Sequence, residues 1–420
     1  MSGATPPFPP RHRGELPVTE LLARASRSLL EVWGEEMFRN SGTMLEVLGQ
    51  RLIVFNRPAA IESVLVTQAE AFAAKPAQLT RLLAPLLGQG LFVAEGRAWQ
   101  GRRAAVEAAM SAALDDAGEA TATAWAARAQ GATLDLVAEM ERLSAGLLLR
   151  LIFGPAAGDP AEIVRLARAY RGKISGAGLL TLMALPEPLL RLRLGGDAKR
   201  IRALVEPLLA RACRARTGLA ATLPPELARD EAISLFAIGH DALAGLLVAA
   251  WFLLGQAPEV EAELHAELDA GAEDGPLLRA ILREALRLYP PLPLIARVAG
   301  RATEVAGLPV PKGSIAFVAP WLVHRHADNW EAPDEFRPAR FLPDAPPPRP
   351  FAYLPFGLGP RHCVGEAFTM RAAMLALARL ARRFRLRPLP GPGVVPRAGL
   401  TLSLAERLPM RLERRDCPGG

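Results

Sequence analysis

A mainly α-helical body carrying a small β-sheet is the fold class that this 420-residue sequence predicts, and three observations carry it. Apolar residues recur at three-and-four spacing over long stretches, alanine and leucine far outnumber valine and isoleucine, and strand-like runs are few. Half of the residues are apolar, enough for one large core, so length alone does not argue for a second domain.

Taken in order, residues 1–30 read as a proline-rich N-terminal extension, 31–412 as the folded domain and 413–420 as a polar tail. Residues 44–48 and 51–55, joined at Gly49-Gln50, have the pattern of a hairpin, and 314–318 follows Pro311-Lys312-Gly313 as a further strand. Helical periodicity runs through 163–170, 201–213, 231–254 and 367–384. Another helix contains Glu284 and Arg287, three apart and so on one face, and stops at Pro290-Pro291. The longest uncharged apolar run, 242–257, is shorter than a membrane span, and the first residues lack the order of a signal peptide. The expectation is a cytoplasmic protein with no stable membrane anchor.

The most informative stretch is Phe356-Gly357-Leu358-Gly359-Pro360-Arg361-His362-Cys363-Val364-Gly365. Glycines let the backbone turn sharply and come close to a macrocycle, while peptide N–H groups at the start of the following helix steady a negative sulfur. A lone cysteine in this setting is suited to bind a haem iron through its thiolate, which favours O–O cleavage. A structural cysteine in a glycine-rich turn is the plainer alternative, and Phe356, Gly359, Arg361, Cys363 and Gly365 together weigh against it.

This segment resembles the haem-binding loop of the cytochrome P450 family, and the resemblance extends from about Trp99 to about Leu402. It implies a single haem-thiolate monooxygenase fold, with haem b between a distal helix and the cysteine loop. Cys363 would be the iron ligand and Phe356 would pack near the proximal face. Glu284 and Arg287 match one family motif, and Arg340 in Phe336-Arg337-Pro338-Ala339-Arg340-Phe341 matches a second. The resemblance implies that these three form a structural network locking the cysteine loop. Trp99, Arg103, Arg297 and Arg361 match positions that hold the haem propionates, which need cationic or hydrogen-bonding partners in an apolar slot. Residues 174–185 would form a lid over the substrate entrance.

On the distal side, Gly239 would open the wall of the helix beside bound oxygen, and Asp241 takes the place of the acid that manages proton delivery. An unpaired carboxylate among hydrophobes is costly and suggests a task, although an arginine or a backbone group would also account for it. The threonine that usually follows the acid is replaced by Ala242. The hydroxyl expected there serves proton transfer, typically worth about 10²–10⁴ in rate. Its loss leaves open a substrate hydroxyl or water as substitute, a peroxide-driven reaction, or radical coupling and rearrangement. His240 reads as a hydrogen-bonded helix residue, not as an iron ligand.

Cys213, Cys363 and Cys417 make no disulfide framework and fit a reducing compartment. His324, His326 and His362 lack zinc-like spacing. The formal charge of +7 comes with only 6% aromatics and scattered basic residues, which argues against nucleic-acid binding. Arg102, Arg371, Arg379, Arg382 and Arg383 are candidates for docking an acidic electron carrier, a separate ferredoxin- or flavodoxin-type donor. Pocket positions around 82–87, 179–185, Ile238, 292–295 and 400–402 are nearly all aliphatic, pointing to a hydrophobic small-molecule substrate. The expected activity is insertion of one atom of O2 by a monomeric monooxygenase. The alternatives are a peroxide-driven or radical-coupling enzyme and a non-catalytic haem-binding protein.

Overall fold

The sequence folds around helix Pro225–Gln256, which is apolar on nearly every side and so belongs inside the protein, not at its surface. Proline at its first position has no N–H to leave unsatisfied, which makes it a natural helix start. The helix lies against Leu136–Phe153, itself buried along most of its length, and this contact is the centre of the main core. Pro225–Gln256 is long and apolar enough to cross a membrane by length and composition, but most of it is buried among its neighbours. In this computed structural model the described residues are 5–40, 42–47, 49–110, 119–177, 185–391 and 393–415.

Helices Ala161–Ala177 and Glu187–Ala215 cover one side of the core, and Pro276–Leu288 and Glu366–Arg383 form the other. The periodic stretches read from the sequence fall in these helices and the central one, apart from Phe384, which opens a strand. Residues 178–184, within the expected lid and pocket, lie outside the described residues, as does Cys417.

The largest sheet has four strands in the order Thr43–Val47, Gln50–Phe55, Ile315–Val318, Ile295–Val298. Its first pair is the antiparallel hairpin, with Met44 opposite Ile53. Gln50–Phe55 then runs parallel to Ile315–Val318, with Leu52 opposite Ile315. This parallel pairing joins segments about 260 residues apart and leaves no local mark in the sequence. Ile295–Val298 adds antiparallel, Ala296 opposite Phe317, and so carries Arg297 to the sheet edge beside the core. A three-stranded sheet of Thr133–Asp135, Pro409–Arg414 and Phe384–Pro388 closes the far end. A short hairpin, Arg397–Ala398 with Leu402–Ser403, projects toward the central helix.

Residues 5–30 are knitted into this body. Tyr289 Oη donates to the Pro7 carbonyl at 2.8 Å, Arg11 pairs with Asp334 at 2.6 Å, and helix Val18–Arg27 leads to the buried Leu29 and Leu30.

Candidate active site

Cys363 stands between the helical turn Gly359–Arg361 and helix Glu366–Arg383. Its N–H donates to the Phe356 carbonyl at 2.9 Å, and the Gly365 N–H approaches its sulfur at 3.4 Å. Gly359 has φ +68°, and a Cβ there would lie 1.9 Å from the Leu65 carbonyl oxygen, so conformation and space both require glycine. The sulfur opens onto a cavity of about 1610 Å³ whose lining is mostly apolar. Burial pushes the thiol up from its ordinary value. The Gly365 N–H and Arg103 pull the other way, and Glu366 adds to the rise.

Beside the sulfur lies a cluster of cations that only the fold brings together. Arg361 pairs with Glu95 and lies 4.5 Å over the Trp99 ring, while Lys75 Nζ reaches the same Glu95 at 3.0 Å. Arg297 donates only to the Ala296 carbonyl at 2.9 Å, and no carboxylate stands within ion-pairing distance of it among the described residues. Burial lowers Arg297 to about 10, with Arg361 contributing. Lys75 is lowered to about 8 by burial and then by Arg361, against its bond to Glu95. Three cations against one carboxylate leave a buried positive excess that suits an anionic ligand. Lys75 escaped the sequence reading because nothing around Ala74-Lys75-Pro76 marks it; pairing with Glu95 is visible only in three dimensions. Arg103 lines the cavity with Trp99, and its guanidinium also meets Glu107 at 2.7 Å and the His362 carbonyl, so it ties the cysteine loop to helix Gly96–Ala109.

Behind the loop, Glu284 and Arg287 are fully buried on helix Pro276–Leu288. Arg287 donates to both Glu284 oxygens at 2.7 and 2.8 Å, Arg340 Nε donates at 3.1 Å, and the Arg337 N–H at 2.9 Å. Arg287 also donates to the His324 carbonyl at 2.7 Å. His324 in turn bonds the Arg287 carbonyl through Nδ1 and accepts the Leu354 N–H at Nε2, 2.9 Å. Leu354 lies two residues before Phe356, so the chain of bonds runs from Glu284 to the cysteine loop. His326 Nε2 contacts the Asn40 carbonyl at 3.1 Å.

The opposite wall is helix Pro225–Gln256, and here one expectation changes. Asp241 is not unpaired: one oxygen meets Arg171 and the other accepts a hydrogen bond from Thr401 Oγ1 at 2.6 Å. Arg171 also holds Glu141, which Arg168 shares. Gly239 lines the cavity, but the helix is unbroken there, and a Cβ would press on Leu148 Cδ1 at 3.1 Å. Its missing side chain therefore also serves close packing against Leu136–Phe153. Ala242 also lines the cavity. His240 is buried, bonded through Nδ1 to the Phe236 carbonyl at 2.7 Å and stacked on that ring; burial lowers it to about 4, so it is neutral.

The proposed basic docking set also changes. Arg102 is turned inward onto the fully buried Glu231 at 2.7 Å, because that carboxylate needs a cation once desolvated. Arg382 and Arg383 pair with Glu273 and Glu119, and Arg383 stays exposed, as Arg371 does on the same helix Glu366–Arg383.

The family model for Cytochrome P450 matches residues 193–410. Cyclooctatin synthase of Streptomyces melanosporofaciens is 34% identical over 360 residues, covering 76% of this chain and 77% of that protein. The probable cytochrome P450 4aa1 of Drosophila melanogaster is 34% identical over 203 residues, 45% of this chain and 40% of its own length. A six-coordinated cytochrome P450 from Thermus thermophilus superposes with a TM-score of 0.71 at 27% identity, covering 94% of this chain and 98% of that one. A cytochrome P450DA haem domain shares the fold, with a TM-score of 0.78 at 22% identity over 99% of both chains. Taken with a cysteine loop facing an apolar distal helix across one cavity, these likenesses place this chain in the cytochrome P450 family.

Proposed function

We propose that the protein inserts one atom of O2 into an apolar small organic substrate, using electrons delivered singly by a separate ferredoxin- or flavodoxin-type protein. The family is one of haem-thiolate monooxygenases, which require haem, O2, an electron donor and a substrate. The residues present suit such a group. Gly357 and Gly365 lining the cavity, the cysteine between them and Arg297, which has no ion-pairing carboxylate among the described residues, are what a porphyrin with two carboxylates would need. Cys363 would hold the iron, and Trp99, Arg297, Arg361 and Lys75 would meet the propionates. Cys363 is also the only cysteine lining the cavity among the described residues, which favours non-covalent haem b.

When bound, haem supplies oxygen activation, with the thiolate favouring O–O cleavage. The chain does the rest. The Gly365 N–H steadies the sulfur, and the network of Glu284, Arg287 and Arg340 holds the loop through His324. Leu86, Leu87, Ile238, Leu292, Leu294 and Leu400 line the cavity and exclude water from an apolar substrate. The observation that carries this reading is that Cys363, Ala242 and Asp241 line one largely apolar cavity together with Arg297, which has no ion-pairing carboxylate among the described residues.

Purified haem-loaded protein, reduced with dithionite and exposed to carbon monoxide, should show the red-shifted Soret band of thiolate ligation, and Cys363→Ala should lose it. A wild type without that band sinks the reading. Ala242 supports a second reading, in which hydrogen peroxide replaces O2 and the donor. Product formation with peroxide alone, at a rate matching or exceeding that with donor and O2, would favour it.

A further inference from the structure

The central helix has no hydroxyl at Ala242, yet one stands nearby: Thr401 donates to Asp241 at 2.6 Å, and all three residues line the same cavity. Thr401 does not sit on a loose loop. It closes the turn between Arg397–Ala398 and Leu402–Ser403, with the Gly399 N–H donating to its carbonyl at 3.1 Å. The Leu402 N–H is anchored on the Pro291 carbonyl at 2.9 Å. Ala398 is bonded both ways, to the Leu29 N–H at 2.8 Å and to Ser28 Oγ at 3.0 Å. The second Asp241 oxygen is fixed by Arg171 from helix Ala161–Ala177, with Glu141 and Arg168 behind it. Asp241 is thus oriented from two sides while its side chain keeps 17% of its exposure.

We propose that Thr401 is a positioning residue that supplies, from a hairpin far along the chain, the hydroxyl absent at position 242. It holds the Asp241 carboxylate where water can pass protons from solvent to the distal wall. The inference rests on the oxygen-activating reading above. Its chemistry can be followed without knowing the substrate, because a P450 given electrons alone still reduces oxygen. Two electrons and two protons convert O2 to hydrogen peroxide, whereas four of each yield two waters. The electrons come from the donor protein and the protons from solvent. Both routes share the first two electrons and the first proton; the second proton sets the branch, because delivery to the outer oxygen breaks the O–O bond and releases one water, and two further electrons and protons turn the remaining oxygen atom into the second water. Delivery of that second proton is the step an oriented Asp241 would assist.

The test uses haem-loaded enzyme, a plant-type ferredoxin with its reductase as surrogate donor, and NADPH. Peroxide released per NADPH oxidised is measured in H2O and D2O. Losing one hydrogen bond to a charged group predicts that Thr401→Val raises the peroxide-to-water ratio about tenfold and changes the solvent isotope effect. Thr401→Ser should stay near wild type, and adding Ala242→Thr to Thr401→Val should recover most of the loss. Melting temperature and the carbon monoxide spectrum should be unmoved by a change confined to proton delivery. If valine lowers the melting temperature, Thr401→Ala against Thr401→Ser makes the same comparison. An unchanged peroxide share and isotope effect on removing the hydroxyl overturns the proposal. A wild type that consumes no oxygen with the donor, despite a thiolate-type spectrum, overturns the underlying reading and the proposal with it.

Discussion

The two walls of the cavity are built from opposite kinds of charge pairing. On the Cys363 side, Glu284 and Arg287 are wholly buried, four donors converge on one carboxylate, and the partners belong to short runs of sequence. On the Asp241 side, the Arg171 and Asp241 side chains keep 32% and 17% of their exposure, and the partners come from helices and a hairpin far apart in the chain. A desolvated, saturated network resists motion, because any opening leaves a charge unpaired in a poor solvent. A half-exposed one exchanges with water. The wall that would hold the cofactor still is therefore sealed, and the wall proposed to pass protons is left within reach of solvent.

The sharpest way to break this contrast is to remove one charge from each wall. Glu284→Gln should destabilise the protein by about 3–5 kcal/mol, since Arg287 and Arg340 would remain buried against a neutral amide. Urea denaturation and haem content read the effect. A loss near that of a surface ion pair would mean that the network does not lock the loop. The same wall has a pH signature. The folded protein holds His324 at about 3, through burial and then the nearby Arg287, while the unfolded chain titrates it near 6.5. Between those values the unfolded state binds the extra proton. Stability should thus fall as pH drops through this window, by about 1.4 kcal/mol per unit. His240, held at about 4, adds a similar loss from the central helix. His324→Asn should flatten the His324 share of the slope, as followed by denaturation from pH 7 to pH 4.

The contrast also explains what could be read from sequence. The Glu284-Arg287 spacing, the Arg340 segment and the cysteine loop are local patterns, where neighbours in sequence are neighbours in space, so they and the helical fold were legible. The parallel pairing of Gln50–Phe55 with Ile315–Val318, the Lys75-Glu95-Arg361 cluster and the Asp241-Thr401 bond each join distant segments. No periodicity announces them. Asp241 looked unpaired for the same reason: its cation sits 70 residues away on another helix. Arg102 looked available for docking because Glu231, its buried partner, is 129 residues away.

Lys75 tests the cofactor slot, where sealing and charge excess meet. It is held at about 8 by burial, and then by Arg361, against 10.5 for a free lysine. Between those values the unfolded chain carries the proton and the folded protein does not. The haem-free protein should therefore gain stability as pH rises through this window, by about 1.4 kcal/mol per unit. Lys75→Met removes the slope. Bound haem should also flatten it, because two carboxylates nearby restore the charged lysine. A slope that survives haem binding would place the propionates away from Lys75.

The smallest stability effect is expected on the open wall, and it completes the comparison. Asp241→Asn deletes a charge as Glu284→Gln does, yet Arg171 keeps Glu141 as its counter-ion and Thr401 can still donate to the amide oxygen. Solvent also reaches the pair, so the loss should be about 1 kcal/mol. Function should move the other way: the variant that barely destabilises the fold should slow donor-driven oxygen consumption and enlarge its solvent isotope effect. Denaturation and oxygen uptake on the same preparation separate the two. A stability loss matching that of Glu284→Gln, with unchanged oxygen chemistry, would make Asp241 a second structural clamp and erase the distinction between the walls.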